Sequence, residues 1–574
     1  MSRPEELRPM RWSVAAPAPA HILAEMGQQH PILAQILYNR RIVKPGHIAA
    51  FLEGHYPGSE DPFLLPDMER AVARIQRAIE EDETIVVYGD FDADGVTATV
   101  LLVEALRGLG LDRRRAQPYI PDRVDEGYGL NADALTDLQQ KGAGLVITVD
   151  CGVRAFHEAS HAQALGLDLI ITDHHSLGSR LPAAEAIINP KRPESTYPET
   201  RLAGVGIAYK LAQALRLHMP ARARYEDAQL LDLVALGTVA DLAPLLGENR
   251  KLVIEGLQVI NSYRRPGIQA LAEVARLKRG QITAESIAFG LGPRINAAGR
   301  LAHAYDAARL LAVNNAIMAR DFARQLDQLN QERQRLTRRL SRLAEDLVAP
   351  EQPLLFAADS NFASGVVGLV ASRLAEKHYR PTIVVEQGEE ESRGSCRSIE
   401  EFHITAALDQ VEEMLIRHGG HAQAAGFTIA TKHLERFAAE MTAIADQQLD
   451  VDELAPTLEI DAEVSIDEID WALHDVLAQL EPTGQANATP RLMSSAVRVF
   501  SHRAVGQEGS HLQLFVGNER VKLPAIAFRQ GAWAGRLPER IDLVYTLNIN
   551  EWNGRRNLQL MVQDIRLADE NGQE

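Results

Sequence analysis

Thiols and long apolar runs are scarce in this chain of 574 residues. The two cysteines, Cys151 and Cys396, are too few for a disulfide framework or a thiolate metal cluster. No run of about 18 uncharged apolar residues occurs, so we expect no transmembrane helix and no membrane association. The start, MSRPEELRPMRW, is charged and lacks the apolar segment of a secretory signal. We therefore expect a cytoplasmic protein.

Positive charge is also in deficit, with 60 Lys and Arg against 78 Asp and Glu and a net charge of −18. A protein that coats nucleic acid without specificity is normally basic, so the charge balance counts against that class. It does not exclude an enzyme that acts on nucleic acid. Carboxylates gathered around metal ions lower the formal charge, and a local basic groove can coexist with an acidic surface.

The length is too great for one hydrophobic core and predicts three or four domains. From Thr84 onward, apolar strand-like runs such as TIVVYG, LVITV and LIIT alternate with helical stretches, which favours a parallel, doubly wound α/β sheet. After Pro456 the pattern changes to short alternating strands, typical of a small β-barrel, for which we prefer an OB-fold. The predicted domains are a helical segment at 1–65, the α/β domain at 66–312, a long connecting helix at 313–349, a smaller α/β domain at 350–454 and the barrel at 455–570.

The connecting helix is predicted from leucines at 3–4 spacing, without Gly or Pro, between about residue 314 and residue 348. Its polar face carries five arginines: Arg333, Arg335, Arg338, Arg339 and Arg342. Two interpretations of that face stay open. It is a solvated surface between domains, or it lines a groove that contacts phosphates.

Three carboxylates alternate in the segment Asp90-Phe-Asp92-Ala-Asp94-Gly95. An EF-hand calcium loop would need a bidentate Glu at position 12, where this sequence has Leu101, and a helix rather than a strand in front of it. The calcium-loop interpretation therefore fails. The segment follows the predicted strand TIVVYG, and the carboxyl ends of strands are where open α/β sheets bind ligands.

Further acidic and imidazole groups occupy equivalent places. Asp150 ends the run LVITV, Asp173-His174-His175 ends LIIT, and Asp241 interrupts the apolar helix VALGTVADLAPL. Any one of these residues alone would be a helix cap or a buried group satisfied by backbone donors. Together they converge at one sheet edge, where carboxylates without cations would repel one another strongly. Metal binding removes that repulsion.

Carboxylates and imidazoles without thiolates favour manganese or magnesium. More carboxylates are present than one ion needs, which indicates two divalent ions about 3.5–4 Å apart, the arrangement of two-metal phosphoryl-transfer sites. The residues therefore predict a dinuclear phosphoesterase or phosphohydrolase.

These motifs resemble the DHH phosphoesterase family, whose name is the triplet found at Asp173-His174-His175. Within that family the sequence is most similar to the bacterial RecJ exonucleases. The matching blocks are VVYGDFDADGVTA, IPDRVDEGYGL, ITVDCGV, LVALGTVADLAPL and GPRINAAGRL. SRGSCRSI and GGHAQAAGFTI resemble the DHH-associated domain, and the last strands resemble the RecJ OB domain. In the linker EPTGQANATP, Ala486 stands where the family more often has Gly, which makes the start of the barrel less well defined.

The resemblance implies which side chains hold the metals: Asp92, Asp94, Asp150, His174 and Asp241, with Asp150 as the bridge. It places Asp90 and His175 at positions needed for activity, as ligands, as groups that orient ligands or as leaving-group contacts. The implied activity is hydrolysis of single-stranded DNA from the 5′ end, which releases 5′-mononucleotides in DNA repair and recombination.

The resemblance also implies a pocket for the terminal 5′-phosphate at Arg123, Ser395 and Arg397. Arginine suits this role because its planar guanidinium matches phosphate geometry; the alternative for Arg397 is a surface ion pair. His421 is either a substrate contact or part of a structural turn. Arg294 and Asn296 either line the path of the strand or brace the site. Cys151 is expected to pack rather than to react.

Other functions within the family are a phosphoesterase of short oligoribonucleotides or cyclic dinucleotides, and a non-enzymatic replication scaffold. The extra C-terminal strands count against the first, because such enzymes are generally shorter. The complete ligand set counts against the second. The resemblance suggests single-stranded DNA as substrate, a helicase or a single-strand-binding protein as partner, and a monomer.

Overall fold

The computed structural model describes residues 3–4, 7–27, 29–56, 61–123, 126–127, 129–552 and 554–568. The chain forms two compact units. The larger comprises residues 56–454, and the smaller combines residues 1–55 with 455–574. No helix in the described part of the chain is long and apolar enough to cross a bilayer.

The N-terminal part of the smaller unit contains one strand and three short helices. They are β1 (Arg11–Val14), α1 (Ala20–Glu25), α2 (Pro31–Asn39) and α3 (Pro45–Glu53). The latter two helices begin with proline, whose fixed φ suits the first helical turn. The sequence predicted only helices here. The strand β1 pairs in parallel with Thr457–Ile460, a partner too distant in the sequence for local periodicity to reveal.

The larger unit begins with a five-stranded parallel sheet. Its strands are β2 (Thr84–Tyr88), β3 (Ala116–Tyr119), β4 (Ala143–Val149), β5 (Asp168–Thr172) and β6 (Ala186–Ile188). The spatial order is β3-β2-β4-β5-β6, and every neighbouring pair is parallel. The chain leaves β2 first to one side and then to the other, so the gap between β2 and β4 is the topological switch point where such sheets bind ligands.

Helices cover both faces of this sheet, as a doubly wound fold requires. In chain order they are α4 (Met68–Glu80), α5 (Ala93–Gly108), α6 (Ala132–Gln140), α7 (Phe156–Ala164), α8 (Gly204–His218), α9 (Leu231–Ala240), α10 (Gly247–Asn261), α11 (Pro266–Val274), α12 (Ala284–Ser286), α13 (Gly292–Leu301) and α14 (Tyr305–Ala312). Ile85 and Val87 point into the core that contains α5, α8 and α9, whereas Val86 and Tyr88 point into the core that contains α6 and α7. Both faces of β2 are therefore buried.

The predicted connecting helix is confirmed as α15 (Ala316–Leu347), a helix of 32 residues. Its N-terminal half packs Ala323 and Leu326 into the core of the first domain. Its C-terminal half packs Leu340 and Ala344 into a separate core together with the segment that follows. Only the last leucine of the predicted stripe, Leu347, is exposed. One rigid element thus contributes to both α/β cores of this unit.

The second α/β domain has a mixed five-stranded sheet. Its elements are β7 (Leu355–Asp359), α16 (Ser364–His378), β8 (Thr382–Glu386), β9 (Glu391–Arg397), α17 (Ile404–Asp409), β10 (Leu415–His421), β11 (Ala424–Ala430) and α18 (Leu434–Gln448). The spatial order is β10-β11-β9-β8-β7, and only β7 and β8 are parallel.

The C-terminal part of the smaller unit is the predicted barrel. Its elements are β12 (Thr457–Ile460), β13 (Ala462–Glu463), α19 (Trp471–Ala478), β14 (Leu492–Val505), β15 (His511–Gly517), β16 (Lys522–Ala527), β17 (Arg540–Trp552) and β18 (Arg555–Leu567). Five strands close because β14 pairs with both β15 and β17. Leu7 and Ile32 pack against the barrel core, so the N-terminal segment belongs to this unit. At the β17–β18 turn, Gly554 has a φ of +75°, and Asn553 lies outside the described residues.

Candidate functional site

The triple-aspartate segment forms the turn from β2 into α5. Asp92 caps α5, and its Oδ1 accepts hydrogen bonds from the backbone N–H groups of Asp94 at 2.9 Å and Gly95 at 3.1 Å. The buried carboxylate of Asp94 accepts from the N–H groups of Gly204 at 2.7 Å and Val205 at 2.8 Å, at the start of α8. Two helix N-termini, each of which favours negative charge, therefore hold two of the three carboxylates.

Gly204 permits a close approach to Asp150, and the sequence did not identify it. A Cβ atom there would lie 2.6 Å from Oδ1 of Asp150, so any side chain would displace that carboxylate. The sequence contains only the short pair Gly204-x-Gly206 at this place, which matches no ligand-binding motif.

Asp150 follows the last residue of β4 in a left-handed conformation, with a φ of +62°. Aspartate adopts this region more readily than most residues, but the conformation is uncommon and is concentrated at functional sites. The next turn continues through Gly152 at a φ of +110°. Cys151 between them is fully buried in the core, in agreement with the packing role expected for it.

Within the triplet after β5, Asp173 fixes its neighbours. Its carboxylate accepts from the backbone N–H groups of Val153 at 2.9 Å and His175 at 3.0 Å, and contacts Nδ1 of His175 at 2.7 Å. Asn189 donates to the carbonyl oxygen of His175, and Lys191 donates to that of His174. Asp173 is therefore a positioning residue. Lys191, which the sequence analysis missed, brings a cation to the edge of the site.

The structure brings together all seven residues that the sequence predicted as metal ligands or neighbouring catalytic groups. Three overlapping groups have donor atoms within 4.8 Å of one another: Asp90, Asp92 and Asp150; Asp94, His174 and Asp241; and Asp150, His174 and His175. His174 Nε2 lies 3.0 Å from Asp150 Oδ1 and 3.9 Å from Asp241 Oδ2. Asp150 and His174 each belong to two groups.

The position of Asp241 differs from the position inside a helix that the sequence predicted. Helix α9 ends at Ala240, and Asp241 caps its C-terminus instead of interrupting it. Its side chain is 24% exposed, so it is less buried than a carboxylate inside an apolar helix would be.

Burial and mutual repulsion disfavour charge on these carboxylates. Burial, followed by the charge of Asp92, raises the pKa of Asp90 well above its usual range and that of Asp94 to about 7. Burial and the charges of Asp94 and Asp92 also raise the pKa of Asp150 strongly, and they raise that of Asp241 to about 9. Burial lowers the pKa of His174 to about 3, which keeps its imidazole neutral.

These residues fit divalent cations well. Carboxylate oxygens and a neutral imidazole are ligands for manganese or magnesium, and the described residues of the site supply no thiolate ligand. Asp90 Oδ1 and His174 Nε2 are buried and form no hydrogen bond within the described part of the chain. Bound cations would satisfy these atoms and cancel the repulsion. The first group would hold one ion and the second group another, and Asp150 of the first group lies 3.0 Å from His174 of the second.

A second, basic cluster involves the other α/β domain. Arg123 follows β3, and its guanidinium lies 4.8 Å from the centre of the Phe91 ring. Arg397 in β9 donates from Nη1 to Ser395 Oγ at 3.2 Å and to the Cys396 carbonyl at 2.7 Å. Burial lowers the pKa of Arg397, and the charge of Arg123 lowers it further, so the two cations of different domains interact. No carboxylate forms an ion pair with Arg397 among the described residues, which argues against the surface-pair alternative.

Arg294 and Asn296 both make internal contacts. Arg294 forms an ion pair with Asp327 of α15 at 2.8 Å and donates to the Gly290 carbonyl. Asn296 Oδ1 accepts from the N–H of Ala93 at 2.7 Å, inside the acidic turn. Such contacts hold neighbouring segments of the site together, as expected of residues that brace it.

His421 ends β10 and lines a cavity of about 350 Å³ together with His175. Most other lining residues come from the turns after β4 and β5. The cavity thus joins the second α/β domain to the rim of the acidic site. A role for His421 as a substrate contact stays a prediction.

Comparison with known proteins agrees with this architecture. Three family profiles match the chain: "DHH family, N-terminal domain" at residues 84–238, "DHHA1 domain" at 351–447 and "RecJ OB domain" at 460–564. Each range lies within one of the predicted domains. The exact domain boundaries stay predictions.

A single-stranded-DNA-specific exonuclease RecJ of Bacillus subtilis is 36% identical over 569 residues, which cover 98% of this chain and 71% of the relative. The chain belongs to the RecJ family. The RecJ of Dickeya dadantii is 35% identical and covers 94% of this chain and 97% of its own length.

RecJ structures from Thermus thermophilus are similar throughout. The RecJ chain solved with Mn²⁺ is 30% identical to this chain and superposes with a TM-score of 0.85. The match covers 97% of this chain and 80% of the RecJ chain. The same protein solved with Mg²⁺ superposes with a TM-score of 0.78 at 30% identity. That match covers 97% of this chain and 79% of the RecJ chain. Both ions are of the class that the donor set of this chain fits.

The raised carboxylate pKa values predict how the stability of the metal-free protein depends on pH. A carboxylate whose folded pKa exceeds its unfolded value contributes stability below the unfolded pKa and loses it as pH rises through the folded pKa. For Asp94 and Asp241 that loss extends to about pH 7 and about pH 9. Between about pH 6 and 9, the metal-free wild type should lose more thermal stability than Asp241→Asn. Parallel melting curves of the two proteins would contradict the raised pKa of Asp241.

The shared position of Asp150 predicts a large effect on metal binding. Asp150→Asn should weaken Mn²⁺ binding by at least tenfold in titration calorimetry, because one substitution removes a charged ligand from two donor groups. The metal-free variant should melt no lower than the wild type, since it also relieves repulsion. Asp346→Asn, an exposed change in α15, is the control. Equal affinity in Asp150→Asn and the wild type would remove Asp150 from the site.

Proposed function

We propose that this protein is a metal-dependent exonuclease that digests single-stranded DNA from the 5′ end and releases 5′-mononucleotides. The observation that carries the proposal is the placement of three overlapping donor groups, linked through Asp150 and His174, beside a basic pocket built from two domains. Membership of the RecJ family supports single-stranded DNA as the substrate. We further propose a cytoplasmic monomer that acts in DNA repair and recombination, with a helicase or a single-strand-binding protein as partner.

Two divalent ions at this site would polarise the scissile phosphate and lower the pKa of the attacking water. The residues of the chain do the positioning. Asp92 and Asp94 are locked by backbone N–H groups before substrate arrives, so little reorganisation is needed during the reaction. Burial keeps His174 neutral and able to act as a ligand.

His175 is suited to serve the leaving 3′-oxygen. Burial alone would lower its pKa, but the hydrogen bond and the charge of Asp173 outweigh burial and raise it. The contact of Nδ1 with Asp173 fixes the ring, so Nε2 is the atom that would hold a proton at the leaving oxygen. Asp173 thereby acts on the reaction through His175.

The basic pocket accounts for recognition of the strand end. Arg123 comes from the catalytic domain, and Ser395 and Arg397 come from the second α/β domain. A terminal phosphate held by all three would set the distance to the metal site and place the first internucleotide phosphorus there. Each cut leaves a new 5′-phosphate that enters the same pocket. No base is read in this scheme, and a pocket between two domains admits a single strand more readily than a duplex.

The barrel carries an exposed surface suited to stacking bases. A β-bulge between Val499 and Ser501 projects Phe500 outward, and Phe500 and Phe515 are each more than one-third exposed. Lys522 lies 4.9 Å from the Phe500 ring centre and 5.4 Å from that of Phe515. Aromatic rings beside a cation are typical of sequence-independent single-strand binding.

The same observations weigh against the other functions considered from the sequence. A phosphoesterase of short oligoribonucleotides or cyclic dinucleotides has no need of a barrel with a stacking surface. A non-enzymatic scaffold would not be expected to retain seven converging ligand and catalytic side chains.

End-labelled single strands test the proposed polarity. With Mn²⁺, the wild type should release labelled mononucleotide at once from a 5′-labelled strand and only at completion from a 3′-labelled strand. Strands with a 5′-phosphate should be digested faster than strands with a 5′-hydroxyl. Arg397→Ala should reduce that ratio by roughly tenfold or more, since a charge-assisted contact contributes about 1.5–3 kcal/mol.

Asp150→Asn is the control in this assay and should be inactive on both labelled strands. Early release of mononucleotide from the 3′ label would contradict the proposed polarity. An unchanged phosphate-to-hydroxyl ratio in Arg397→Ala would show that this residue does not bind the end.

The stacking surface of the barrel has a separate test. Phe500→Ala with Phe515→Ala should weaken binding of a long single strand by roughly tenfold or more, at about 1–3 kcal/mol per stacked base. The rate on saturating short oligonucleotides should change little, because neither phenylalanine is among the residues proposed to hold the metals or the strand end. Phe528→Ala, at another exposed barrel phenylalanine, serves as the control. Unaltered affinity in the double variant would leave this surface without a role in DNA binding.

A further inference from the structure

Arg300 stands in the last turn of α13, at the junction of the two α/β domains, and no motif assigned it a role. Its Nη1 donates to the carbonyl oxygen of Gly365 at 3.1 Å. A Cβ atom at Gly365 would lie only 2.3 Å from the carbonyl oxygen of Arg300. The end of α13 and the first turn of α16 are therefore in direct backbone contact, which leaves the guanidinium of Arg300 beside the start of α16.

Arg397 reaches the same turn of α16. A Cβ atom at Gly368 would lie 3.0 Å from both Nη2 of Arg397 and Oγ of Ser395. Gly365 and Gly368 are three residues apart and thus share one face of the helix. The backbone of Arg300 and the guanidinium group of Arg397 consequently lie against one face of α16, although they come from different domains.

Helix α13 also links this turn to Arg123. A Cβ atom at Gly299 would lie 2.5 Å from the carbonyl oxygen of Phe91, and the ring of Phe91 lies under Arg123. Arg300 is the next residue after Gly299. The acidic turn, Arg123, Arg300 and Arg397 are therefore packed around a single junction.

This junction concentrates positive charge, which the carboxylates of the acidic turn offset in part: Asp90 and Asp92 act on Arg123, and Asp92 acts on Arg300. Among the described residues, no carboxylate forms an ion pair with Arg123, Arg300 or Arg397. Burial, and then the charges of Arg123, Arg333 and Arg397, lower the pKa of Arg300 to about 10, so it remains a cation at neutral pH. The first turn of α16 has no acidic residue and no side-chain cap, and a helix N-terminus adds partial positive charge.

A purely structural role for Arg300 explains only part of this arrangement. Bracing one carbonyl oxygen requires one donor, whereas arginine has five. Placing three half-buried guanidinium groups together is costly unless an anion binds among them. An anion with several oxygens, such as a phosphate monoester, would be contacted by all three.

We infer that Arg300 is a third guanidinium contact of the terminal phosphate and completes the pocket of Arg123, Ser395 and Arg397 at the first turn of α16. This inference rests on the proposed function. It adds a second binding residue from the catalytic domain, beside Arg123.

The test compares kcat/KM for single strands that carry a 5′-phosphate or a 5′-hydroxyl, with Mn²⁺ and the full-length protein. Arg300→Gln should lower the phosphate-to-hydroxyl ratio by roughly tenfold or more, mainly through KM for the phosphorylated strand. Arg300→Lys keeps the charge but loses the planar pair of donors, so it should give an intermediate ratio. Arg309→Gln, an exposed arginine of α14, should leave the ratio unchanged.

The outcomes separate this inference from the proposed function. If Arg397→Ala lowers the ratio and both Arg300 variants leave it at the wild-type value, Arg300 only braces the junction and the inference is wrong. If Arg397→Ala also leaves the ratio unchanged, the terminal-phosphate pocket itself fails. Should Arg300→Gln melt at a much lower temperature than the wild type, the ratio of Arg300→Lys decides, because that variant retains a donor for Gly365.

Discussion

Repulsion among buried carboxylates is the constraint on which the rest of this structure depends. Asp90, Asp94 and Asp150 are all buried at the carboxyl ends of β2 and β4, and each raises the cost of ionising another. Backbone N–H groups at the start of α5 and α8 offset part of this cost. The remainder favours the binding of divalent cations, since bound positive charge removes the repulsion.

The surrounding fold serves to hold that unfavourable arrangement in place. The switch point between β2 and β4 supplies the gap, the left-handed turn at Asp150 aims one carboxylate into it, and Gly204 lets α8 approach closely. Helix α15 contributes to the cores of both α/β domains and so fixes how they face each other. Acidic and basic clusters can then be close without neutralising one another, which suits a substrate that is itself a chain of anions.

Much of this could be predicted from the sequence because strand ends in a parallel sheet converge. The periodicity of the runs before Asp90, Asp150 and Asp173 was enough to place their side chains at one edge. Contacts that depend on tertiary packing could not be predicted. Gly204 matters only because α8 lies over Asp150, and Asp241 caps α9 because the helix ends at Ala240, five residues before its apolar run ends at Leu245. Strand β1 is invisible locally because its partner is at the other end of the chain.

Anomalous diffraction from crystals soaked in MnCl₂ tests the central claim most directly. The account predicts two manganese peaks about 3.5–4 Å apart. One should lie between Asp90, Asp92 and Asp150, and the other between Asp94, His174 and Asp241, with Asp150 in contact with both. A single peak, or two peaks that do not share Asp150, would contradict it.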